Sequence, residues 1–525
     1  MASRRDELNA YTFARKRMVG AFLQPGNGGS DEDAPRPIRA VVPSMVVGAL
    51  VMAGFGLWGM IKPSAPLDWD SGKNVIVGKD STTRYVVLQN PDGTKTLHPV
   101  VNMASAKLVL PADSKVVFVA DSVLDHYKSH GATIGIPFAP DKLPSATDAG
   151  KAKKWSVCDR PGADDDHPNQ GVFVAADADA ATLARKDREL SGTQAMLVQG
   201  PRQQDGSEGP EFLVDAKGIG HKLGGPGDDV KALQIAIFGN QAKPEHVSAE
   251  WLATLGQGHP IAFPTVPGLV RDHLVPSNVP LSDPSLRYVG KLVYSADAQY
   301  VVGKDQLLPL TPFAAQLAKM NPLTAGAYKA GVAPDFAQIT PAENSSLGGQ
   351  PQTGGVLGLQ DDWPTKVPPG QVNGGDPSTA RPVVCSTFEG GYDPDGNPQR
   401  SVWAGTDFPA PVTTGSATAH VSPGHGLFYR AMDNGAQGSG SDFLVTETGL
   451  RYSVPANSEG TPSGGANPSP SPSAGGQQTQ PQVNEAQARL GYKDDVPVPV
   501  PKAWSDLLPA GPALNTMTAT QEQNS

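Results

Sequence analysis

The sequence predicts an α+β protein: a single transmembrane helix, then an elongated extracytoplasmic region of four small strand-rich repeats around a central β-sheet domain. Three observations carry this. One long stretch lacks any charge, short strand-and-turn signatures recur at matched spacing, and turn-forming residues are abundant. The 59 glycines and 51 prolines make about a fifth of the 525 residues, against a usual share of roughly 12%. Turns, extended segments and linkers therefore dominate, which disfavours long helical bundles and coiled coils. With 42 Lys and Arg against 52 Asp and Glu, the net charge of −10 disfavours a nucleic-acid partner. Two cysteines exclude a disulfide-dense scaffold, a Cys₄ zinc site and an iron–sulfur protein.

Residues 1–39 form a basic head. Over residues 1–40, seven Lys or Arg stand against five acids. From Arg4 to Leu23, helical spacing of Leu8, Tyr11, Met18 and Phe22, with Arg15, Lys16 and Arg17 nearby, predicts a basic amphipathic helix. Such a helix lies on anionic lipid or docks its apolar face into a groove of a cytosolic partner.

Residues 40–61 read AVVPSMVVGALVMAGFGLWGMI, 22 residues without a charge, matching the roughly 20 that span a bilayer core. The head is too long for a signal-peptide n-region, and no small-x-small cleavage site follows Lys62-Pro63. An uncleaved single-pass anchor is expected in the cell membrane. The basic excess of the whole head places the N-terminus in the cytoplasm and the C-terminal region outside it.

Beyond the anchor the chain repeats itself. Phe212 to Gly218 and Phe443 to Gly449 share FLVxxxG, and each is followed by an apolar helical stretch and by WxxxLxxG, at Trp251-Leu255-Gly258 and Trp504-Leu508-Gly511. A second pair aligns Arg84 to Leu108 with Arg287 to Leu317, setting Pro99 on Pro309, Met103 on Phe313 and Ala104 on Ala314. Four units emerge, each of alternating strands, a turn such as Asn90-Pro91-Asp92-Gly93, and one short helix. Their signatures read as core packing and turn glycines. Two further strand-like pieces, ending in Cys158 and Cys385, predict a central sheet assembled from distant stretches of the chain. The expected divisions are 62–145, first repeat; 146–191, N-terminal segment of the central domain; 192–278, second repeat; 279–344, third repeat; 345–380, low-complexity linker; 381–423, C-terminal segment of the central domain; and 424–525, fourth repeat, with a disordered insertion at 456–484. Both tracts are rich in Gly, Pro, Ser and Gln and poor in apolar residues, so they read as linkers or insertions.

The residues then resemble a known family. AYTFARKR at Ala10 to Arg17, RPIRA before the apolar run, TLHPVVNMASAKLVL at Thr96 to Leu110, and GATIGIPFAPDKLP at Gly131 to Pro144 are similar to the EccB membrane component of actinobacterial type VII (ESX) secretion systems. WSVCD, VVCS and the final WSDLLPAGPAL fit the same pattern, so the resemblance covers nearly the whole chain. It implies four repeats around a disulfide-bearing central domain. It also implies assembly with the EccC motor ATPase, EccD and other secretion-complex subunits, proximity to a mycosin protease, homo-oligomer formation and peptidoglycan contact. Cys158 and Cys385, the only cysteines, stand in strand-like contexts on the exported side and are expected to pair. Beside cytosolic domains of EccC and EccD, the partner reading of the head is preferred, with Tyr11 and Phe22 as anchors and Arg15, Lys16 and Arg17 for orientation.

Some members of the family carry an ATPase label, but no GxxxxGK[ST] cradle occurs. Ser71-Gly72-Lys73-Asn74 and Gly78-Lys79-Asp80-Ser81 lack the first glycine and read as turns entering strands. His126 and His130, four apart, could share a helix face with Asp121 or Asp125, yet DSVLDHYKSH reads equally as a solvated face. Asp164-Asp165-Asp166-His167 reads as a solvated acidic loop, and Gly424-His425-Gly426 as a turn. Catalytic residues, cofactors and metals are not expected. The leading functional reading is a scaffolding subunit of a protein-secretion complex. A membrane-anchored peptidoglycan-binding protein is the alternative, and an ATPase a weaker one.

Overall fold

The computed structural model describes residues 4–23, 38–60, 64–162, 167–185, 188–329, 331–346, 357, 360–374, 380–412, 419–433, 439–455 and 484–523. It divides into two compact units, Met1–Pro66 and Leu67–Ser525. In the first, α1 (Arg4–Leu23) covers the predicted amphipathic segment and α2 (Ile38–Met60) the apolar run, with Pro43 inside it. Among the described residues no helix is long and apolar enough to cross a membrane.

The second unit opens with β1 (Asn74–Gly78), β2 (Arg84–Gln89), β3 (Lys95–Val100), α3 (Met103–Val109), β4 (Lys115–Val119), α4 (Asp121–Asp125) and α5 (Ala146–Ala149). After β5 (Lys154–Arg160), β6 (Asn169–Ala175) and α6 (Ala180–Leu183) come β7 (Ala195–Gln199), β8 (Glu211–Asp215), β9 (Ile219–Lys222), α7 (Val230–Phe238), β10 (Glu245–His246), α8 (Ala249–Leu252) and β11 (Gly256–Gln257). A third set holds β12 (Leu292–Ser295), β13 (Ala298–Val302), β14 (Leu307–Leu310), α9 (Pro312–Met320), α10 (Pro322–Ala325), β15 (Ala337–Gln338) and α11 (Pro341–Ser346). Next are β16 (Val383–Tyr392), β17 (Pro398–Gly405) and β18 (Ala419–Val421). The last set holds β19 (Leu427–Met432), β20 (Gly440–Val445), β21 (Arg451–Ser453), α12 (Glu485–Leu490), β22 (Val498–Pro501), α13 (Lys502–Ser505) and α14 (Thr516–Ala519).

Among the described residues, four of the five sheets share one plan. Three antiparallel strands form a meander, a helix crosses over, and a fourth strand returns parallel to the first, giving β3-β2-β1-β4, β14-β13-β12-β15, β21-β20-β19-β22 and β10-β7-β8-β9-β11, the last with β11 added parallel to β9. Side chains start the crossover helices: Asn102, Asp229, Thr311 and Asn484 each accept a backbone N–H from the first turn. The glycines of FLVxxxG end the β8–β9 and β20–β21 turns with positive φ, +73° at Gly218 and +78° at Gly449, where a side chain would be strained.

WxxxLxxG marks a close approach. Trp251 and Trp504 are fully buried, and the motif's glycine runs across a ring on the third strand. A Cβ at Gly258 would enter the buried His221 ring, and one at Gly511 would lie 2.5 Å from Tyr452. The first repeat has the same arrangement, Gly131 over His98. In all three, the residue before the ring pairs in parallel with the residue before the glycine: Leu97 with His130, Gly220 with Gln257, Arg451 with Ala510.

The fifth sheet, β17-β16-β5-β6-β18, joins both cysteine segments, with Cys158 directly opposite Cys385. The two form a disulfide across 227 residues, both fully buried. The opposite face of the sheet, with Trp155, Val157 and Phe388, shares one core with Trp251 and Val198 of the second repeat and with Trp504 and Tyr429 of the fourth. The first repeat packs on the fourth through α3, where Leu108 meets Leu490 and Tyr492, and the third packs on the second through Phe313 and Leu317 against Leu233. Beside the disulfide, buried Asp159 accepts from Ser248 N–H and Oγ–H, both at 2.7 Å, and from Gln170 Nε2 at 3.1 Å. Burial pushes its carboxyl up, against the pull of those bonds, and the contact locks the start of α8 onto the central sheet.

Two expectations need correction. Arg287-Tyr288 precede β12 and are not the counterparts of Arg84-Tyr85. The strand equivalent to β2 is β13, where Tyr300 faces Pro309 as Tyr85 faces Pro99. Nor is 345–380 wholly a linker: residues 360–374 lie against the second and third repeats. Asp362 accepts from His259 N–H at 2.8 Å, and Trp363 meets Phe313 edge-on at 6.0 Å. Asn373 accepts from Leu197 N–H at 3.0 Å and donates to Leu197 O at 2.8 Å, pairing like a strand. Residues 347–356, 358–359 and 375–379, and 456–483 of the predicted insertion, lie outside the described residues.

Candidate interaction surfaces

The head is a helix, but its apolar surface is wider than one stripe. At about 100° per residue, Leu8, Tyr11, Met18 and Phe22 fall within an arc of about 80°. Arg15 lies inside that arc, whereas Lys16 and Arg17 lie off it, and Phe13 stands roughly opposite Phe22. All are exposed, with Phe22 at 91% and Tyr11 at 70%. The named residues do share one stripe, but with Arg15 inside it and Phe13 and Leu23 outside it the apolar and basic residues of α1 are not separated into two faces.

The P-loop-like fragments are turns with internal partners. After β1, the N–H groups of Asp80 and Ser81 donate to the Asp121 carboxylate, at 2.8 Å for Asp80. The Ser81 hydroxyl and these amides hold that carboxyl below its ordinary range. A cradle for phosphate needs such amides to point at the ligand, and here they point at a side chain of the same repeat. Ser71-Gly72-Lys73-Asn74 turns into β1, with Asn74 Nδ2 donating to Asp68 O at 3.0 Å.

His126 and His130 do not share a helix. α4 ends at Asp125, His126 caps it, and His130 bridges to Leu97 of β3. Asp164, Asp165 and Asp166 lie outside the described residues. Gly424-His425-Gly426 is a turn that closes on α5: Asp148 accepts from Gly426 N–H at 3.0 Å and sits 2.7 Å from His425 Nδ1. Buried Lys153 donates to the same carboxylate at 3.0 Å. Burial pushes the Asp148 carboxyl up, and the bonds from His425, Lys153 and Gly426 outweigh it and hold it below the usual range. The cluster ties the fourth repeat to the segment leading into the central sheet.

Sequence reading missed two clefts. One, of about 950 Å³, lies in the first repeat, where Trp69 and Tyr127 meet edge-on at 5.4 Å beside Asp70 and Lys95. The other, of about 330 Å³, lies in the second repeat between Phe212 and Leu252. The first follows from no motif; the second is bordered by Phe212 of FLVxxxG and by Leu255 and Gly258 of WxxxLxxG, whose repetition in the fourth repeat gives no sign of an opening.

Among the described residues, five small sheets, one disulfide and polar clusters tie repeat to repeat, and this fold is shared with chains of solved ESX complexes. A chain of an intact ESX-5 inner membrane complex covers all of this chain at 20% identity, with 96% of its own length matched and a TM-score of 0.57. A chain of the EccB3 dimer from the ESX-3 core complex covers 85% of this chain and 99% of its own at 21% identity, TM-score 0.54. The relative named ESX-3 secretion system ATPase EccB3 from Mycobacterium tuberculosis is 24% identical over 542 residues, 98% of this chain and 88% of the relative. The family described as "Type VII secretion system ESX-1, transport TM domain B" matches residues 1–525, and the chain belongs to it, the EccB proteins of type VII secretion.

Proposed function

We propose that this protein is a structural subunit of a type VII (ESX) protein-secretion complex in the cytoplasmic membrane, holding other subunits in register while the complex exports protein. The observation that carries this reading is the fold likeness over the whole chain to a subunit of an ESX-5 inner membrane complex. The uncharged run at 40–61 anchors the chain once, with the basic head inside and the repeats outside. EccC, EccD and a mycosin protease are its partners, and a second copy of the chain pairs with it, as the dimeric neighbour's description suggests. The disulfide suits an oxidising, extracytoplasmic setting.

The head supplies the cytosolic contact. Tyr11 and Phe22 anchor it, and Arg15, Lys16 and Arg17 orient it against acidic groups. Replacing Tyr11 and Phe22 together by alanine should release EccC or EccD from the detergent-solubilised complex while the chain stays in the membrane fraction. An undisturbed complex would assign the head to the lipid surface instead.

The relatives' name raises an ATPase reading. No P-loop stands in the sequence, and among the described residues the nearest turn has its amides on Asp121. ATP turnover that survives repurification and disappears on a point mutation in this chain would favour that reading.

A further inference from the structure

Repeats two and four share the same three-stranded meander and parallel return strand, yet one position differs in a way that opens a site. In repeat four, Arg451 stands opposite Val445. Its guanidinium lies over the Phe443 ring, 5.1 Å from the centroid, and Nη1 donates to Ser505 Oγ at 3.0 Å and to Asp506 Oδ1 at 2.8 Å. The side chain is 18% exposed and fills the space between β21 and α13.

At the same register in repeat two stands Gly220, opposite Val214, with Phe212 in the place of Phe443. Leu252 and Ala253 follow Trp251 where Ser505 and Asp506 follow Trp504. The guanidinium is replaced by hydrogen, the hydroxyl by an isobutyl group and the carboxylate by a methyl group. What remains is a cleft of about 330 Å³ lined by Phe212, Gly220, Lys222, Leu252, Ala253 and Leu255, with Leu255 Cδ1 3.1 Å from where a Cβ on Gly220 would stand. Repeat one closes the same position with Leu97, which is fully buried.

We propose that this cleft is a docking pocket for an aromatic side chain presented by a peptide segment of a partner protein. The shape is a slot that, in repeat four, holds a planar group against a phenyl face. The walls are apolar, and a ring entering the slot buries its faces against Phe212 and Leu252. A cation is disfavoured, because the carboxylate that holds Arg451 has no counterpart and Lys222 stands at the mouth. The same lysine favours a carboxylate next to the ring in the docking peptide.

Calorimetric titration of the detergent-solubilised full chain with acetyl-Asp-Phe-amide tests this. Saturable binding is expected with a dissociation constant on the order of 1 mM, as befits one ring in one pocket. The triple change Gly220→Arg, Leu252→Ser and Ala253→Asp rebuilds the arginine plug of repeat four and should weaken binding about tenfold or more. Lys222→Glu alters an exposed side chain without touching the core, and should invert the preference toward acetyl-Lys-Phe-amide. No saturable binding to the unaltered chain, or binding unaffected by both variants, overturns the proposal. Tighter binding of tri-N-acetylchitotriose than of the dipeptide also overturns it, assigning the cleft to a glycan.

Discussion

Changing Cys158 and Cys385 together to alanine should destabilise the exported unit by about 5 kcal/mol, the upper value the chain-entropy model gives a loop of this length. The bond closes 227 residues, including all of repeats two and three. Without it, β16 and β17 must find β5 across the whole of that excursion before the central sheet can form. Because repeats two and four bury their tryptophans against this sheet, the loss propagates into both. Urea unfolding of the full chain followed by tryptophan fluorescence reads the effect. An unchanged midpoint in the double variant would show that the sheet is held by packing alone.

Gly258→Ala and Gly511→Ala should each cost about 3 kcal/mol, at the upper end for overpacking. The added methyl meets His221 or Tyr452, and both rings are fully buried with neighbours on every side. His221 is further held by its Nδ1, 3.0 Å from His259 O. Gly131→Ala should cost less, since His98, though its Nδ1 lies 3.0 Å from Ala132 O in the same way, is only half-buried and can swing toward solvent. Thermal unfolding of the three variants gives the order directly. Equal, small shifts for all three would contradict the ring-under-glycine packing.

These two effects mark what could be read from residues alone. Trp251, Trp504 and the glycines of both motifs are legible because packing demands one residue type at one spacing. The paired cysteines are legible because only two exist and both stand in alternating, strand-like runs. The ring beneath the glycine is not, since it is His98, His221 or Tyr452, and the shared feature is shape rather than identity. The open cleft is hidden for the same reason: it exists through what Gly220, Leu252 and Ala253 lack relative to Arg451, Ser505 and Asp506, and only strand register aligns them. The docked segment of 360–374 escaped because Asp362, Trp363 and Asn373 sit in a tract whose Gly and Pro content signals a linker, while their partners lie earlier in the chain, in the second and third repeats. The shift of the third repeat arose from a chance Arg-Tyr match, which β pairing of Tyr300 with Pro309 resolves.

The composition and native mass of the complex solubilised from membranes in mild detergent test the scaffold reading most directly. The expected result is stoichiometric recovery of this chain with EccC and EccD, in an assembly holding more than one copy of it. Recovery of the chain alone, retained on isolated peptidoglycan and free of secretion-system subunits, would contradict it.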